Sequence, residues 1–428
     1  MIICIYNGRM ESWGRMEYKV SVIVELEKSK KKLKQTLNSL KEQTLDFNSG
    51  IQVILLANDS VEEDYLQFCE EYAALFGENV VFWRNVDFSG IEGAWISCLQ
   101  EGQEWSPLAF ETVVRMEQES IDPIDFALEK YKEETAENKT ENSYDFVLNQ
   151  MWKFEGELGK YIFSRRFDEE IEKIVQANEK LEVMYQLALI MVKAEYMIVL
   201  EKEQLTGKKK YAGKQKEWYC KQLPDFGTAI QQLKASVSDA RKEQLDLIYM
   251  TQLAESMKDK VEDILSEEEI RRYELWLQEA LEKIDDAVIN RANMNAATRR
   301  YAFSLKDGED IAGKVVCRNG KFYYKNMLFF DIKNAETFIM HADESDNHKI
   351  IGVSYHPLQE NQIIFYLTDG EKEYPFVYKE KGEKVYRCLN HVERQERIYE
   401  CILPAEIDPS ILYVECIYMG KYVTNLSK

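Results

Sequence analysis

Carboxylates are the side chains of this sequence best placed to do chemistry. Asn58-Asp59-Ser60 follows directly on the apolar run Ile51-Gln52-Val53-Ile54-Leu55-Leu56, and Asp87 comes soon after Val80-Val81-Phe82-Trp83. A carboxylate at the carboxyl end of a strand can accept a hydrogen bond from the base of a nucleotide. The competing reading of Asn58, Asp59 and Asp87 is a turn residue that caps the next helix. Glu179 is a candidate proton acceptor. Beside Lys180, its competing reading is a solvated surface residue. Other chemistries lack their residues: there is no GxSxG, no Walker A and no GxGxxG. His341, His348, His356 and His391 are scattered without metal-ligand spacing, and none of the eight cysteines forms a CxxC. Asp285-Asp286 is no ion clamp, because neighbours on a helix point about 100° apart. Trp83, Trp95, Trp105 and Trp152 can stack a sugar or a base, although core packing is the commoner use.

The elements that must position these residues change along the chain. Residues 20–115 alternate strand and helix. Val20-Ser21-Val22-Ile23-Val24 reads as a buried strand, Leu33, Leu37 and Leu40 mark a helix face, and Ile51 to Leu56 is a second strand. A helix bearing Tyr65, Phe68, Cys69 and Tyr72 and a third strand, Val80 to Trp83, complete a βαβαβ unit. This rhythm predicts a parallel sheet, whose ligands bind beyond the carboxyl ends of its strands. Gly93 to Leu99 reads as a further helix. Residues 165–305 read as almost wholly helical, with a capping box at Ser266 and Glu269 ahead of Ile270, Tyr273, Leu277, Ala280, Leu281 and Ile284. Lys208 to Lys216 reads as a solvated basic loop or helix end. From Lys321 the period becomes two. Seven short strands, separated by Asn319-Gly320, Asp369-Gly370, Lys381-Gly382 and similar signals, predict a β-sandwich with an aromatic core.

Composition excludes further classes. The 428 residues carry a formal charge of −21, which repels nucleic acid and anionic membranes. Residues 313–428 hold 15 Lys/Arg and 17 Asp/Glu, so the acidic excess lies almost wholly before them, and a boundary is expected at Gly308 to Gly313. The most apolar helical run, Leu187 to Leu200, contains Lys193 and Glu195 and falls short of the roughly 20 residues a membrane span requires. Met1 to Met16 lacks the features of a secretion signal, and Met16 is an alternative start. The expected location is the cytoplasm, with the cysteines as buried thiols, and membrane association only through partners.

Several motifs together resemble the family-2 glycosyltransferases of the GT-A fold. Leu37-Asn38-Ser39-Leu40-Lys41-Glu42-Gln43-Thr44 is similar to the family's L-x-S-L-x-x-Q-T. Asn58-Asp59-Ser60 stands at its (D/N)-D-G-S, and Phe68-Cys69-Glu70-Glu71-Tyr72-Ala73 is similar to I-C-E-E-Y-A. Asn85 to Ile91 resembles the loop before A-R-N-x-G, and Phe163-Ser164-Arg165-Arg166-Phe167-Asp168-Glu169 resembles F-I-R-R … F-D-E. The resemblance implies a sugar-nucleotide donor, a divalent metal held by a D-x-D, and a carboxylate base at a position near Glu179. Yet no D-x-D stands between Val80 and Val114. Trp105-Ser106-Pro107 and Ala109-Phe110 resemble the family's residues just after that motif, so its strand is expected to be deleted with it. The later helices and β module resemble the layout of bacterial cell-surface polymer transferases.

The expected fold is therefore a GT-A-like α/β domain with a truncated parallel-type sheet (18–205), a helical region (206–312) and an all-β, sandwich-like domain (313–428). The expected role is a catalytically degenerate protein, a partner or scaffold in surface-polysaccharide or teichoic-acid assembly, with possible sugar-nucleotide and protein partners. No catalytic residue and no metal ligand is assigned. The alternative is an active transferase with Asp59 on the base, Asp87 or Glu101 on manganese or magnesium, and Glu179 as proton acceptor.

Overall fold

Runs of apolar residues buried on both faces make the central strands. The computed structural model describes residues 18–57, 61–85, 87–120, 124–131, 158–177, 179–194, 197–202, 214–333, 338–343, 346–358, 362–389 and 391–426. They fall into two compact units, residues 1–213 with 232–241, and residues 214–231 with 242–428. The chain pairs a mostly parallel, helix-flanked sheet at its N-terminal end with a helical middle and antiparallel β-sheets at its C-terminal end.

In the first unit seven strands form one sheet in the order β3-β2-β1-β4-β6-β5-β7. They are β1 (Val20–Glu25), β2 (Ile51–Leu56), β3 (Val80–Trp83), β4 (Trp95–Gln100), β5 (Phe126–Tyr131), β6 (Tyr161–Ser164) and β7 (Met197–Lys202). All neighbours are parallel except β6, which runs antiparallel to β4 and β5. The helix Lys30–Lys41 buries Leu33, Leu37 and Leu40 as its spacing predicts. Beside it, the helix Glu63–Ala74 carries a run of stacked rings, Tyr65 to Phe68 to Tyr72. Lys30 sits 4.2 Å over Phe68, Lys34 5.6 Å over Tyr72 and Lys41 4.1 Å over Phe76. Ring faces thus hold three lysines between the helices.

Three expectations are corrected here. Gly93 to Leu99 is no helix: Trp95 to Leu99 lies buried in β4, between β1 and β6. A surface helix would leave one polar face in water, whereas here even Ser97 is enclosed, its hydroxyl accepting from Trp105 Nε1 at 2.9 Å. The strand expected to be deleted is therefore present. Between β3 and β4 the only helical element among the described residues is the single 3₁₀ turn Phe88–Gly90. The run Leu187 to Leu200 also divides, into the helix Lys180–Lys193 and the strand β7.

The second unit contains the helices Glu267–Glu282, Asp286–Arg291 and Ala296–Asp307. The capping box forms, with Ser266 and Glu269 bonded reciprocally. Asp285 caps Ala287 and Asp286 pairs with Lys306 at 2.7 Å. Gly308 ends the last helix in the left-handed region at φ 67°. The strands β8 (Val316–Arg318), β9 (Lys321–Tyr324) and β10 (Met327–Asp331) form a small sheet, with Asn319-Gly320 as its first turn. Two four-stranded antiparallel sheets follow. One has the order β11 (Phe338–Asp343), β12 (Asp346–Ser354), β16 (His391–Ile402), β15 (Val377–Cys388). The other is β14 (Glu373–Pro375), β13 (Ile363–Thr368), β17 (Tyr413–Tyr418), β18 (Lys421–Leu426). Their inner faces meet through aromatic side chains, Phe338 on Phe365 at 4.2 Å and Phe365 edge-on to Tyr399 at 5.9 Å. Lys381-Gly382 is not a turn. It lies inside β15, where a side chain at 382 would meet Glu396 at 2.2 Å.

His356 is fully buried in this core, 6.0 Å from the ring of Phe365. Burial, reinforced by the Arg397 guanidinium 3.1 Å from Nδ1, pulls its pKa down to about 3. The unfolded chain therefore binds a proton near pH 6.5 that the folded chain refuses until about pH 3. Stability is full above that window and falls as pH drops through it, at a slope approaching about 1.4 kcal/mol per pH unit from this group. Chemical unfolding at pH 7, 6 and 5 is expected to show this slope, and His356→Gln to flatten it. An unchanged slope in the variant contradicts the assignment.

Candidate functional site

The chain leaves β1 toward β2 on one side, and β4 lies on the other. The crevice at the carboxyl ends of β1 and β4 is the place where such a sheet takes a ligand. Glu25 ends β1, and Gln100-Glu101-Gly102-Gln103 ends β4. Gln100 Nε2 donates to Glu25 at 3.2 Å, and Gln103 Oε1 accepts the Gln100 N–H at 2.7 Å. The cavity these residues line with Ile174 and Val175 measures about 20 Å³. That holds roughly one water molecule.

Glu101 is buried, and its carboxylate is committed to the fold. One oxygen accepts the backbone N–H groups of Lys28 and Ser29 at 3.2 and 2.8 Å, at the start of the helix Lys30–Lys41, where negative charge is favoured. The other accepts the Tyr65 hydroxyl at 2.5 Å. Burial and this carboxylate push the Tyr65 hydroxyl far above the ordinary tyrosine range, so it stays a donor. Gly102 follows at φ 87°, its N–H donating to Thr36 Oγ1 at 2.8 Å. A divalent cation bridging a diphosphate needs oxygen ligands aimed at one point. Here Glu101 points into the fold, Gly102 has no side chain, and Gln100 and Gln103 are neutral amides. Among the described residues no three His, Cys, Asp or Glu side chains converge as a metal would require. These residues do not fit a metal clamp.

Glu101→Gln is expected to cost about 1–3 kcal/mol, because one acceptor oxygen becomes a donor facing donors. Hydrogen exchange at Lys28 and Ser29 checks this. Exchange as slow as in the parent chain contradicts it.

The other candidate residues scatter. Asn58, Asp59 and Trp152 lie outside the described residues, as do Met1 and Met16. Asp87 accepts from the N–H and the hydroxyl of Ser89 at 3.0 and 2.5 Å, the geometry of its turn reading. Glu179 is exposed and stands just before the helix Lys180–Lys193 rather than within one. It follows Ile174 and Val175, which line the crevice, by a few residues in sequence and is not itself part of the lining. Trp95 and Trp105 are core residues whose ring nitrogens donate to Glu117 and Ser97. Lys214 and Lys216 pair with Asp259 and Glu269.

Sequence reasoning passed over Asp168 and Asp125 as site residues. Burial raises the Asp168 pKa against the pull of Arg165, and Asp125, fully buried, pairs with Arg166. A perturbed carboxylate invites a functional reading. Position argues otherwise: the Arg165 N–H donates to Ala94 O, so this cluster sits at the amino end of β4, opposite the crevice. The Arg-Arg and Asp-Glu pairs around Phe167 were the signal for it.

No family model and no curated protein matches the chain. Solved structures show similarity at low identity. The crystal structure of S. aureus TarS aligns at 16% identity with a TM-score of 0.49, over 95% of this chain and 77% of that one. S. aureus TarS 1-349 in complex with UDP-GlcNAc aligns at 14% and 0.47, over 72% and 96%. The mannosyltransferase PcManGT from Pyrobaculum calidifontis, in complex with GDP-Man and Mn2+, aligns at 12% and 0.36, over 69% and 88%. No helix among the described residues is long and apolar enough to cross a membrane.

Proposed function

We propose that this chain is a glycosyltransferase-family-2-like protein with a GT-A-like N-terminal domain that no longer transfers sugar. It acts in the cytoplasm as a non-catalytic partner or scaffold in bacterial surface-polysaccharide or teichoic-acid assembly, and reaches the membrane through partners. One observation carries the loss of transfer. Where a diphosphate clamp belongs, at the carboxyl end of β4, the first acidic side chain is Glu101, and its oxygens hold Lys28, Ser29 and Tyr65. Losing a metal that neutralises a leaving diphosphate removes several kcal/mol of transition-state stabilisation.

The second reading is an active enzyme using Asp59 and Glu179. It is favoured by the position of Glu179 close behind Ile174 and Val175. The test is release of nucleoside diphosphate from UDP-, GDP- and CDP-sugars, with and without manganese. No release is expected under either condition. Manganese-dependent release overturns the proposal and gives the lead to the second reading. Metal-independent nucleotide binding that Asp59→Ala abolishes fits a surviving base pocket on a non-transferring protein.

A further inference from the structure

An edge strand presents unpaired N–H and C=O groups to any strand that reaches it. In the two packed four-stranded sheets of the second unit the edges are β11, β15, β14 and β18. Three of them are blunted. β15 carries Lys379, Lys381 and Lys384 and shifts register three times against β16. β14 has only three residues and ends on Pro375, which has no N–H to donate. β18 begins at Lys421 and shifts register against β17.

β11 carries none of these devices. Phe338-Ile339-Met340-His341-Ala342 contains no Lys, Arg, Asp, Glu or Pro, and its register against β12 is unbroken as far as Ala342. The strand's one charge, Asp343, comes after this run and pairs with Lys349 at 3.2 Å. Among the described residues β11 has no strand neighbour but β12. Ile339 is 54% exposed, and His341 and Ala342 are exposed as well. On the outer face Ile339 continues a cross-strand row with Val353 and Ile398.

Such an edge is complementary to itself. A strand without charges meets no like charge when laid antiparallel against its own copy. Residues 313–428 hold 15 Lys/Arg and 17 Asp/Glu, so the acidic excess of the chain does not oppose approach at this end. Symmetry also sets the register. Directly opposed residues of an antiparallel ladder share a face, and a two-fold axis through the sheet keeps outer face beside outer face. The axis therefore passes through a residue rather than between two. Met340 is the middle of the uncharged run, which sets Ile339 opposite the partner's His341.

We propose that the chain forms a two-fold dimer in which β11 pairs with β11 of a second copy, joining two four-stranded sheets into one of eight strands.

Sedimentation velocity of the full chain from about 1 to 200 μM tests it. A monomer–dimer equilibrium is expected, with Kd on the order of 10 μM, as suits a small interface. Ile339→Lys gives β11 the device that the other edges carry, and is expected to weaken the dimer tenfold or more. His341→Lys is the second variant, and circular dichroism confirms that each folds. Ile402→Lys is the control. Ile402 is 72% exposed on the same outer face, but it lies on β16, inside the sheet, so its replacement is expected to leave the dimer intact. A parent chain that stays monomeric, or that associates as anything other than a dimer, overturns the pairing. So do folded β11 variants that associate like the parent. Dissociation by Ile402→Lys equal to that by Ile339→Lys overturns it too, because the sheets then meet face to face.

Discussion

Replacing Gly93 by alanine is expected to break the first unit at its centre. A side-chain carbon there would stand 2.3 Å from the backbone nitrogen of Ser21, 2.6 Å from the carbonyl carbon of Val20 and 2.7 Å from the Ser21 hydroxyl. These are atoms of β1, which pairs with β2 on one side and β4 on the other, so they cannot retreat without losing a ladder. The same atoms anchor the connector into β4. The Gly93 N–H donates to Ser21 Oγ at 2.8 Å, and Gln52 accepts from Ser21 and from the Glu92 N–H. Overpacking against backbone, with buried hydrogen bonds lost, costs on the order of 3–5 kcal/mol. Two compact units need not unfold together, so the readout is hydrogen exchange of 20–25 and 95–100 rather than one melting temperature. Parent-like protection of both segments contradicts the argument. Gly313→Ala, where nothing lies within 4 Å, is the control, expected to shift stability by less than about 0.5 kcal/mol.

Glu393→Ala is expected to be as damaging in the second unit. The carboxylate is 5% exposed and Arg300 6%. Arg300 is otherwise held by its donation to Phe329 O at 2.7 Å and by the Phe329 ring. Removing the anion strands buried guanidinium charge, which costs about 3–5 kcal/mol. The double variant Arg300→Met, Glu393→Leu removes that pair but leaves Arg394 without Glu393 and the Phe329 carbonyl without its donor, so it is expected to recover only part of the loss. Urea unfolding followed in the second unit measures both. A loss under about 1 kcal/mol for Glu393→Ala, or no recovery in the pair, overturns the reading.

How much of this was legible depended on where each side chain found its partner. β1 and β2 declared themselves because strands covered on both faces become continuous apolar runs, and β3, a half-buried edge strand, is an apolar run as well. β4 did not. Its Ser97 looks polar in sequence and is satisfied only by Trp105, and similarity to a motif on either side suggested a deletion where a strand continues. β7 was hidden because no glycine or proline separates it from the preceding helix, so one apolar run served two elements. Gly382 misled in the opposite sense. It resembles a turn, but it lies where β15 bulges between Lys381 and Val385, with the Glu396 side chain beside it. In the candidate site, Glu101 was visible as a carboxylate but not as a strut, since Tyr65, Lys28 and Ser29 are brought to it by the sheet and two helices. The place of Arg394, 4.6 Å from the Tyr355 ring centre and 5.5 Å from that of Tyr386, was equally silent, because strand spacing does not announce which tyrosines will flank it.

The Glu101 strut has an evolutionary consequence. A D-x-D at 100–102 would put aspartate at position 102, where φ is 87° and a side chain would press on Lys32. A D-x-D at 101–103 would instead need Glu101 to let go of the three donors it now satisfies. Each step taken singly lowers stability before it gains anything, so selection meets a valley in both directions. A clamp at this strand end would therefore need several changes made together.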